Sequence, residues 1–308
     1  MGKQANAIVI GLSLLAAGVI ALAVIAVVAF AVYNAVFPPA CVGVLPIRGV
    51  ITTTSEEAGL FSAGTIGSDD VLELLKEAER RGDIKSLLVE VDSPGGSVVA
   101  SREIYEGVRD FKKPTIAFFR EVAASGGYYA AVGADEIISD PDAITGSIGA
   151  RATFEDLSGL FEKIGYNVTI IKSGELKDIG DPSRPMTEKE KRLVQEIIDE
   201  VFGEFRDAVW KERSGRPNFA ANFNTILDAR ILTGRQALRY GLVDAVGSRK
   251  DALARAASLG NITGEPSECV LEKKKEWWEK IVEKAAAGIG QAVAQALAPK
   301  PPQARLAY

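Results

Sequence analysis

The most informative absence in this chain is histidine, of which there is none among 308 residues. Without histidine the chain has no Ser-His-Asp triad, no Cys-His dyad and no zinc site built on imidazole. Acid–base chemistry near neutral pH must then come from a carboxyl, a tyrosine, a cysteine or a lysine whose pKa is shifted by its surroundings.

Cysteine is also scarce. The two cysteines, Cys41 and Cys269, stand far apart and neither belongs to a CxxC pair, so the chain carries no zinc or redox motif. The sequence leaves open whether the two form a disulfide. Because no metal-ligating or cofactor-binding motif is present, we predict no metal and no cofactor.

Basic residues do not outnumber acidic ones. The 36 Lys and Arg against 41 Asp and Glu give a net charge of −5, and no basic stripe suited to nucleic acid is visible. With 47% apolar and 25% charged residues the composition is that of a globular protein. We therefore predict one sizeable domain, some extra sequence and no nucleic-acid partner.

A long uncharged run lies near the N-terminus. Residues 7–36 are almost entirely apolar, and the run exceeds the ~20 residues that cross a hydrocarbon core. A cleaved signal peptide has an apolar region of only ~7–15 residues, which favours a retained transmembrane helix. Because Lys3 precedes the run, residues 1–6 are predicted to be cytoplasmic. We expect a single-pass protein of the cell membrane with its main domain on the extracytoplasmic side.

From residue 41 onward, short apolar strands alternate with amphipathic helices. The predicted strands are Cys41–Ile51, Ser86–Val91, Thr115–Phe119, Glu136–Ser139 and Val168–Ile171. The predicted helices are Gly67–Arg81 with Ser68 as its cap, Val98–Phe111, Thr153–Ile164 and Thr187–Arg213, and Ala229–Gly247 adds a strand, a helix and a closing strand. This alternation predicts an α/β fold with a parallel sheet.

The character changes after Gly260. A basic and aromatic stretch, Lys273–Trp278, precedes apolar residues at helical spacing. Residues 261–308 are therefore predicted to form an amphipathic helix and a flexible tail. The helix either docks on its own domain or lies on a membrane or partner.

The stretch Val122–Ala134 gathers small residues around one hydroxyl, that of Ser125. Alanines precede it, Gly126 and Gly127 follow, and a helix is predicted to begin there. Such a turn exposes the serine Oγ and directs backbone N–H groups toward it, as a nucleophile requires. The alternative is a tight strand-to-helix junction packed with small residues.

A second glycine turn, Gly95-Gly96, follows the strand that ends near Val91 and opens the helix at Val98. Glycines at such a turn let backbone amides approach a ligand closely. The N–H of Gly96 and the N–H of Gly126 are therefore candidate donors to an oxyanion.

With histidine absent, lysine is the natural base for a serine nucleophile. An ordinary lysine, with a pKa of ~10.4, is protonated at neutral pH, and burial away from carboxylates is what converts it to a base. Lys177, in the polar loop Lys172–Met186, is the leading candidate and Lys172 is its rival. An ion pair with Asp178 would defeat this chemistry, so we expect its carboxylate to point away from Lys177. Ser147 is a candidate hydroxyl to orient the lysine.

Several motifs, in one order, resemble the signal peptide peptidase A family, the Ser-Lys proteases of the ClpP/crotonase superfamily (peptidase family S49). They are Asp92–Ser97, Ala124–Tyr129, Thr145–Gly149, Lys172–Asp178 with Pro182–Arg184, and Arg230–Gly247, and they cover most of residues 42 to about 260. The resemblance implies a ClpP/crotonase-like α/β fold of repeated β-β-α units for a peptidase domain at 41–260. It assigns Ser125 as nucleophile, Lys177 as general base, Ser147 as the lysine's hydrogen-bond partner, and Gly96 and Gly126 as the oxyanion hole. Asp92 departs from the asparagine that relatives often carry.

The resemblance also implies an activity. Family members are membrane-anchored serine endopeptidases that hydrolyse apolar peptides, notably signal peptides left in the membrane. It further implies a ring- or dome-shaped homo-oligomer, and a site that combines residues of two subunits is compatible with the sequence. Two alternatives remain: a crotonase-like acyl-CoA enzyme that uses the same oxyanion hole without a nucleophile, and a non-enzymatic membrane scaffold. The apolar anchor and the Ser125/Lys177 pair favour the peptidase.

Overall fold

The computed structural model describes residues 18–29, 38–56 and 64–273. Residues 18–29 belong to helix α1, whose apolar side chains are exposed. Within these ranges no helix combines the length and the apolar character needed to cross a membrane. Most of the predicted transmembrane segment 7–36, the N-terminal residues 1–6 and the predicted C-terminal helix and tail beyond residue 273 lie outside the described residues.

The chain from residue 41 to residue 270 alternates strands and helices. The strands are β1 (Cys41–Arg48), β2 (Val50–Thr52), β3 (Thr65–Gly67), β4 (Ile84–Ser93), β5 (Thr115–Ala124), β6 (Glu136–Ser139), β7 (Ile144–Gly146), β8 (Ile231–Thr233), β9 (Ala245–Val246) and β10 (Glu268–Val270). The helices are α2 (Ser68–Arg80), α3 (Val98–Arg109), α4 (Gly126–Ala131), α5 (Ser158–Ile164), α6 (Glu188–Arg213), α7 (Phe219–Ile226), α8 (Gly234–Arg239) and α9 (Arg249–Leu259).

The main sheet has the strand order β10-β1-β4-β5-β6-β9, and these neighbours are parallel. Strand β7 pairs with the end of β5 in parallel and with β8 in antiparallel fashion, while β2 and β3 form a separate two-stranded sheet. The predicted α/β class is confirmed. Parallel sheets of this kind are covered on both faces, so their central strands are apolar almost throughout.

The core follows the two-residue period of the central strands. On β4, Leu87, Val89 and Val91 pack toward one face, with apolar residues of α2, α3 and α4. Leu88 packs toward the other face, against Ala252 and other residues of α9. Each fully buried aliphatic side chain of this kind contributes roughly 1.5–3 kcal/mol. This burial fixes the ends of β4 and β5, where the predicted site residues follow.

Three details of the predicted secondary structure are wrong. Ser68 does not cap α2, because it is the first residue of the helix; Gly67 holds the cap position and the hydroxyl of Ser68 donates to Glu103 at 2.6 Å. Residues 168–171 form no strand, and Ile171 is 96% exposed. Helix α5 is also shorter than predicted and begins at Ser158.

The two cysteines form a disulfide, Cys41–Cys269. It joins β1 to the edge strand β10, whose Cys269 lies beside Gly43 in the parallel pairing. The sheet therefore continues past the predicted boundary at residue 260. Within the described ranges Cys41, Asp83 and Cys269 form the one cluster with metal-ligand spacing, but its two sulfurs are bonded to each other and offer no thiolate.

Candidate active site

Ser125 occupies the turn between β5 and α4 in a rare backbone conformation, with φ 53° and ψ −123°. Its N–H donates to the carbonyl of Gly146 at 2.9 Å, and its carbonyl accepts from the N–H of Tyr129 at 3.0 Å. A positive φ in a residue other than glycine costs on the order of 1–3 kcal/mol, which the surrounding hydrogen bonds and packing must offset. The turn leaves Ser125 partly exposed, and no described group hydrogen-bonds its hydroxyl.

The glycine turn after β4 is bonded to β2. The N–H of Ile51 donates to the carbonyl of Gly95 at 3.0 Å, and the N–H of Ser97 donates to the carbonyl of Ile51 at 2.8 Å. Because alternate residues of an extended chain direct their amides to opposite sides, the N–H of Gly96 faces away from β2. A Cβ at Gly96 would lie 2.1 Å from the carbonyl oxygen of Ile51, so this position requires glycine.

The two glycine turns meet. A Cβ built on Gly95 would lie 2.5 Å from the backbone nitrogen of Gly126, and one built on Gly126 would lie 3.1 Å from the nitrogen of Gly96. Among the described residues, neither the Gly96 nor the Gly126 amide donates a hydrogen bond to the protein. Two unengaged N–H groups beside a serine are the geometric requirement of an oxyanion hole.

Ser147 lies in the same cleft as Ser125. Strand β7 pairs with β5 so that Gly146 stands beside Ala124, and the N–H of Ser147 donates to the carbonyl of Arg230 at 2.8 Å. Ser147 also has a positive φ, 54°. The cleft has a volume of about 520 Å³ and is lined by both serines and by the Gly95-Gly96 turn. The structure thus brings Ser125, Gly96, Gly126 and Ser147 together.

Lys177 is not brought to this cleft within one chain. It is exposed, and it lines an open surface depression together with Ser173 and Leu176, away from the residues around Ser125. Across the described ranges, no hydrogen bond joins Lys177 to Ser125 or Ser147. Among the described residues, the predicted base therefore does not line the cleft of the nucleophile.

The carboxylate of Asp178 is taken by residues other than Lys177. It forms an ion pair with Lys172 at 2.5 Å and another with Arg184 at 2.9 Å. The hydrogen bonds from Arg184 and then from Lys172 hold the pKa of Asp178 well below its usual range. The prediction that this carboxylate points away from Lys177 is confirmed. Lys172 is occupied in an ion pair, whereas Lys177 has none within the part of the chain that the structure describes.

Arg184 also ties the loop to α6. Its guanidinium makes two contacts to Glu190, Nη2–Oε1 at 2.5 Å and Nη1–Oε2 at 2.9 Å. Glu190 completes the capping box with Thr187 that the sequence predicted. Arg184, followed by the backbone of Thr187, lowers the pKa of Glu190 to about 2. The loop that carries Lys177 is held by charge rather than by apolar packing.

A narrow apolar pocket of about 30 Å³ opens beside Ser125. Val98, Tyr129 and Phe205 line it, and the rings of Tyr129 and Phe205 stack with centroids 4.4 Å apart. This pocket was not predicted from the sequence. The available signal was helical spacing, since Tyr129 lies four residues after Ser125.

A strained, partly exposed serine beside two unengaged amides is the arrangement of a serine hydrolase. Residues 108–263 match the model of peptidase family S49. The chain belongs to peptidase family S49 and is a serine peptidase.

Known relatives agree with this assignment. The chain is 37% identical over 220 residues to a provisionally named protease of Methanocaldococcus jannaschii, covering 70% of each chain. It is 37% identical over 212 residues to a protein of Enterococcus faecium provisionally named signal peptide peptidase SppA, covering 68% of this chain and 60% of that one. Among solved structures, the 1510-N membrane-bound stomatin-specific protease aligns at 18% identity with a TM-score of 0.49, covering 77% of this chain and all of the other.

Proposed function

We propose that the chain is a membrane-anchored endopeptidase in which Ser125 is the nucleophile. The proposal rests on the position of Ser125. Its partly exposed turn lies beside the backbone N–H groups of Gly96 and Gly126, which donate no hydrogen bond within the described residues. The serine Oγ attacks the peptide carbonyl carbon, a base takes its proton, and the two amides bind the resulting oxyanion. The base returns the proton to the leaving amine, and water then hydrolyses the acyl-enzyme.

The proposed base is Lys177 of a neighbouring copy of the chain. Every residue from 151 to 189 is at least partly exposed, and this segment displays apolar side chains to solvent. They include Phe154, Leu160, Ile164, Tyr166, Val168 and Ile171. Exposed apolar surface of this extent indicates an interaction surface.

A second copy packed on these apolar side chains, between Phe154 and Ile171, supplies the lysine that the cleft lacks among the described residues of one chain. It places Lys177 against the cleft of Ser125, and it removes water from around the ammonium, as a lysine base requires. Ser147, on the wall of that cleft, is then the hydroxyl that orients the lysine. In the proposed head-to-tail homo-oligomer, the Lys177 surface of each copy meets the Ser125 cleft of the next copy.

The proposed substrates are apolar peptides, including signal peptides left in the membrane. The apolar run at 7–36 supports an anchor, and the small apolar pocket beside Ser125 suits a small side chain. The Cys41–Cys269 disulfide supports an extracytoplasmic position for the domain, because disulfides persist mainly in oxidising compartments.

The test is peptide cleavage by the full chain in detergent. Wild type is expected to cleave extended apolar peptides and to react covalently with a fluorophosphonate probe, whereas Ser125→Ala does neither. Ser258→Ala, an exposed serine on α9, is the matched control and should retain both properties. Equal cleavage by wild type and Ser125→Ala would contradict the proposal, and cleavage of an acyl thioester without labelling would favour crotonase-like chemistry.

A further inference from the structure

The cleft around Ser125 carries a cation that the peptidase chemistry does not use. Among the described residues, its lining is small or apolar apart from the two serines and Arg151, and none of these lining residues is acidic. Arg151 is exposed and lines the cleft next to Ala150. A positive charge in a cleft without acids attracts an anionic group on whatever enters.

Arg151 differs from two other exposed arginines, Arg230 and Arg235. Arg230 is held by Asp228, with Nη2–Oδ2 at 2.6 Å, and Arg235 pairs with Asp142. Arg151 has no ion pair or hydrogen bond within the described residues. Its guanidinium is therefore available to a ligand, and guanidinium groups bind carboxylates through two parallel hydrogen bonds.

The distance from the nucleophile limits where that carboxylate lies in a substrate. Arg151 stands four positions after Ser147, and four residues of extended chain span at most ~14 Å. Ser147 lines the cleft together with Ser125. A peptide lying extended along the cleft therefore meets Arg151 within about four of its own residues from the scissile bond.

We propose that Arg151 selects peptides that carry a carboxylate within about four residues of the bond cleaved at Ser125. The inference rests on the proposed function, and it adds charge recognition to the apolar preference. The carboxylate is either an Asp or Glu side chain or the free C-terminus of the peptide. Both sources offer the same planar pair of oxygens to the guanidinium.

The experiment measures kcat/KM of the full-length enzyme in detergent on matched peptides. One set carries a single Glu, Gln or Lys at each position from four before to four after the scissile bond, with the C-terminus amidated. A second set is neutral and ends in a free carboxylate or an amide at increasing distance from that bond. The first set reports side-chain recognition and the second reports C-terminal recognition.

Wild type should prefer the carboxylate over its neutral partner at one or two positions by about fivefold, the effect of one partly exposed ion pair. Arg151→Gln should reduce this ratio to about one, and Arg151→Glu should favour Lys at the same position. Arg239→Glu makes the same charge change at an exposed arginine outside the cleft and should keep the wild-type preference. Added salt should weaken the preference in wild type.

Three results would distinguish failure of the proposed role of Arg151 from failure of the proposed function. Cleavage that depends on Ser125 but shows no carboxylate preference in either peptide set overturns the role of Arg151 alone. The same conclusion follows if the preference persists in both Arg151 variants. Absence of any cleavage that depends on Ser125 overturns the proposed function and this inference together. Thermal unfolding of each variant checks that the fold is retained, as expected for an exposed position.

Discussion

The turn that carries Ser125 and the segment that carries Lys177 are built in opposite ways. All residues from Gly126 to Val132 are buried, and they hold a strained turn in one conformation. No residue from 151 to 189 is buried, and the loop around Lys177 is ordered by the ion pairs of Arg184 with Asp178 and Glu190. Ser125 is therefore positioned by buried residues of its own chain, whereas the proposed base, Lys177, is positioned by surface ion pairs and by a neighbouring copy.

The largest expected effect separates the two lysines of the segment. Lys177→Ala should lower kcat by about 10³-fold or more, because it removes the proposed base, while the fold is unaffected. Lys172→Ala should lower it far less, because Lys172 pairs with Asp178 and donates to the carbonyl of Glu175 and is not the proposed base. Peptide cleavage by each purified variant decides the matter. A Lys177→Ala enzyme that cleaves while Lys172→Ala does not would assign the base to Lys172.

Arg213 tests whether the stability of the core depends on a buried ion pair. Arg213, the last residue of α6, is 1% exposed and pairs with Asp244, with Nη1–Oδ2 at 2.8 Å. Arg213→Ala should lower the free energy of unfolding by about 3–5 kcal/mol, because it leaves Asp244 without its main partner. Denaturant titration measures this. An unchanged midpoint would show that the core does not depend on the pair.

The disulfide is expected to have a smaller effect on stability. Replacing both cysteines by Cys41→Ser and Cys269→Ser should lower the free energy of unfolding by about 2–5 kcal/mol, because the bridge joins residues 228 positions apart and constrains the unfolded chain. Cleavage at a temperature where the domain remains folded should be nearly unchanged, since the bridge lies between β1 and β10, outside the cleft. A large loss of activity in a folded double variant would contradict this separation.

Arg184 forms the corresponding ion pairs in the exposed segment 151–189, as Arg213 does in the core. Arg184→Ala should lower kcat by roughly 10–100-fold through misplacement of Lys177, with little change in the unfolding midpoint, because the segment contributes no buried residue to the core. Cleavage and denaturant titration on the same sample give both quantities. Loss of stability without loss of activity would reverse the roles assigned to the two regions.

The smallest expected effect is the pH dependence of local stability in residues 172–190. Arg184 lowers the folded-state pKa of Glu190 to about 2, below its unfolded value of ~4.3. The stabilisation is therefore complete above about pH 4.3 and is lost as the pH falls toward 2. The protection factors of amides in residues 172–190, corrected for the intrinsic pH dependence of exchange, should fall over this range in wild type. An Arg184→Ala enzyme, in which exchange is already fast at neutral pH, should show a weaker dependence.

Much of the core and part of the site were predictable from the sequence. Short apolar runs identified β1, β4, β5 and β6, and glycine patterns identified the turns at Gly96 and Gly126, because local chemistry determines both. The prediction of a strand at 168–171 is wrong because the apolar residues there are exposed and do not belong to the core of the chain. The disulfide depends on the pairing of β10 with β1, and the role of Arg151 depends on the cleft it lines. Neither relation is local in sequence.

The most direct test of a nucleophile and a base on different copies is complementation. Ser125→Ala and Lys177→Ala are each expected to be inactive, and the two variants, carrying different tags, are co-expressed and purified through both tags. In a head-to-tail assembly of equal and random composition, about one quarter of the interfaces combine an intact serine with an intact lysine. The account predicts recovery of about that fraction of wild-type cleavage. Mixed assemblies without any cleavage would contradict it.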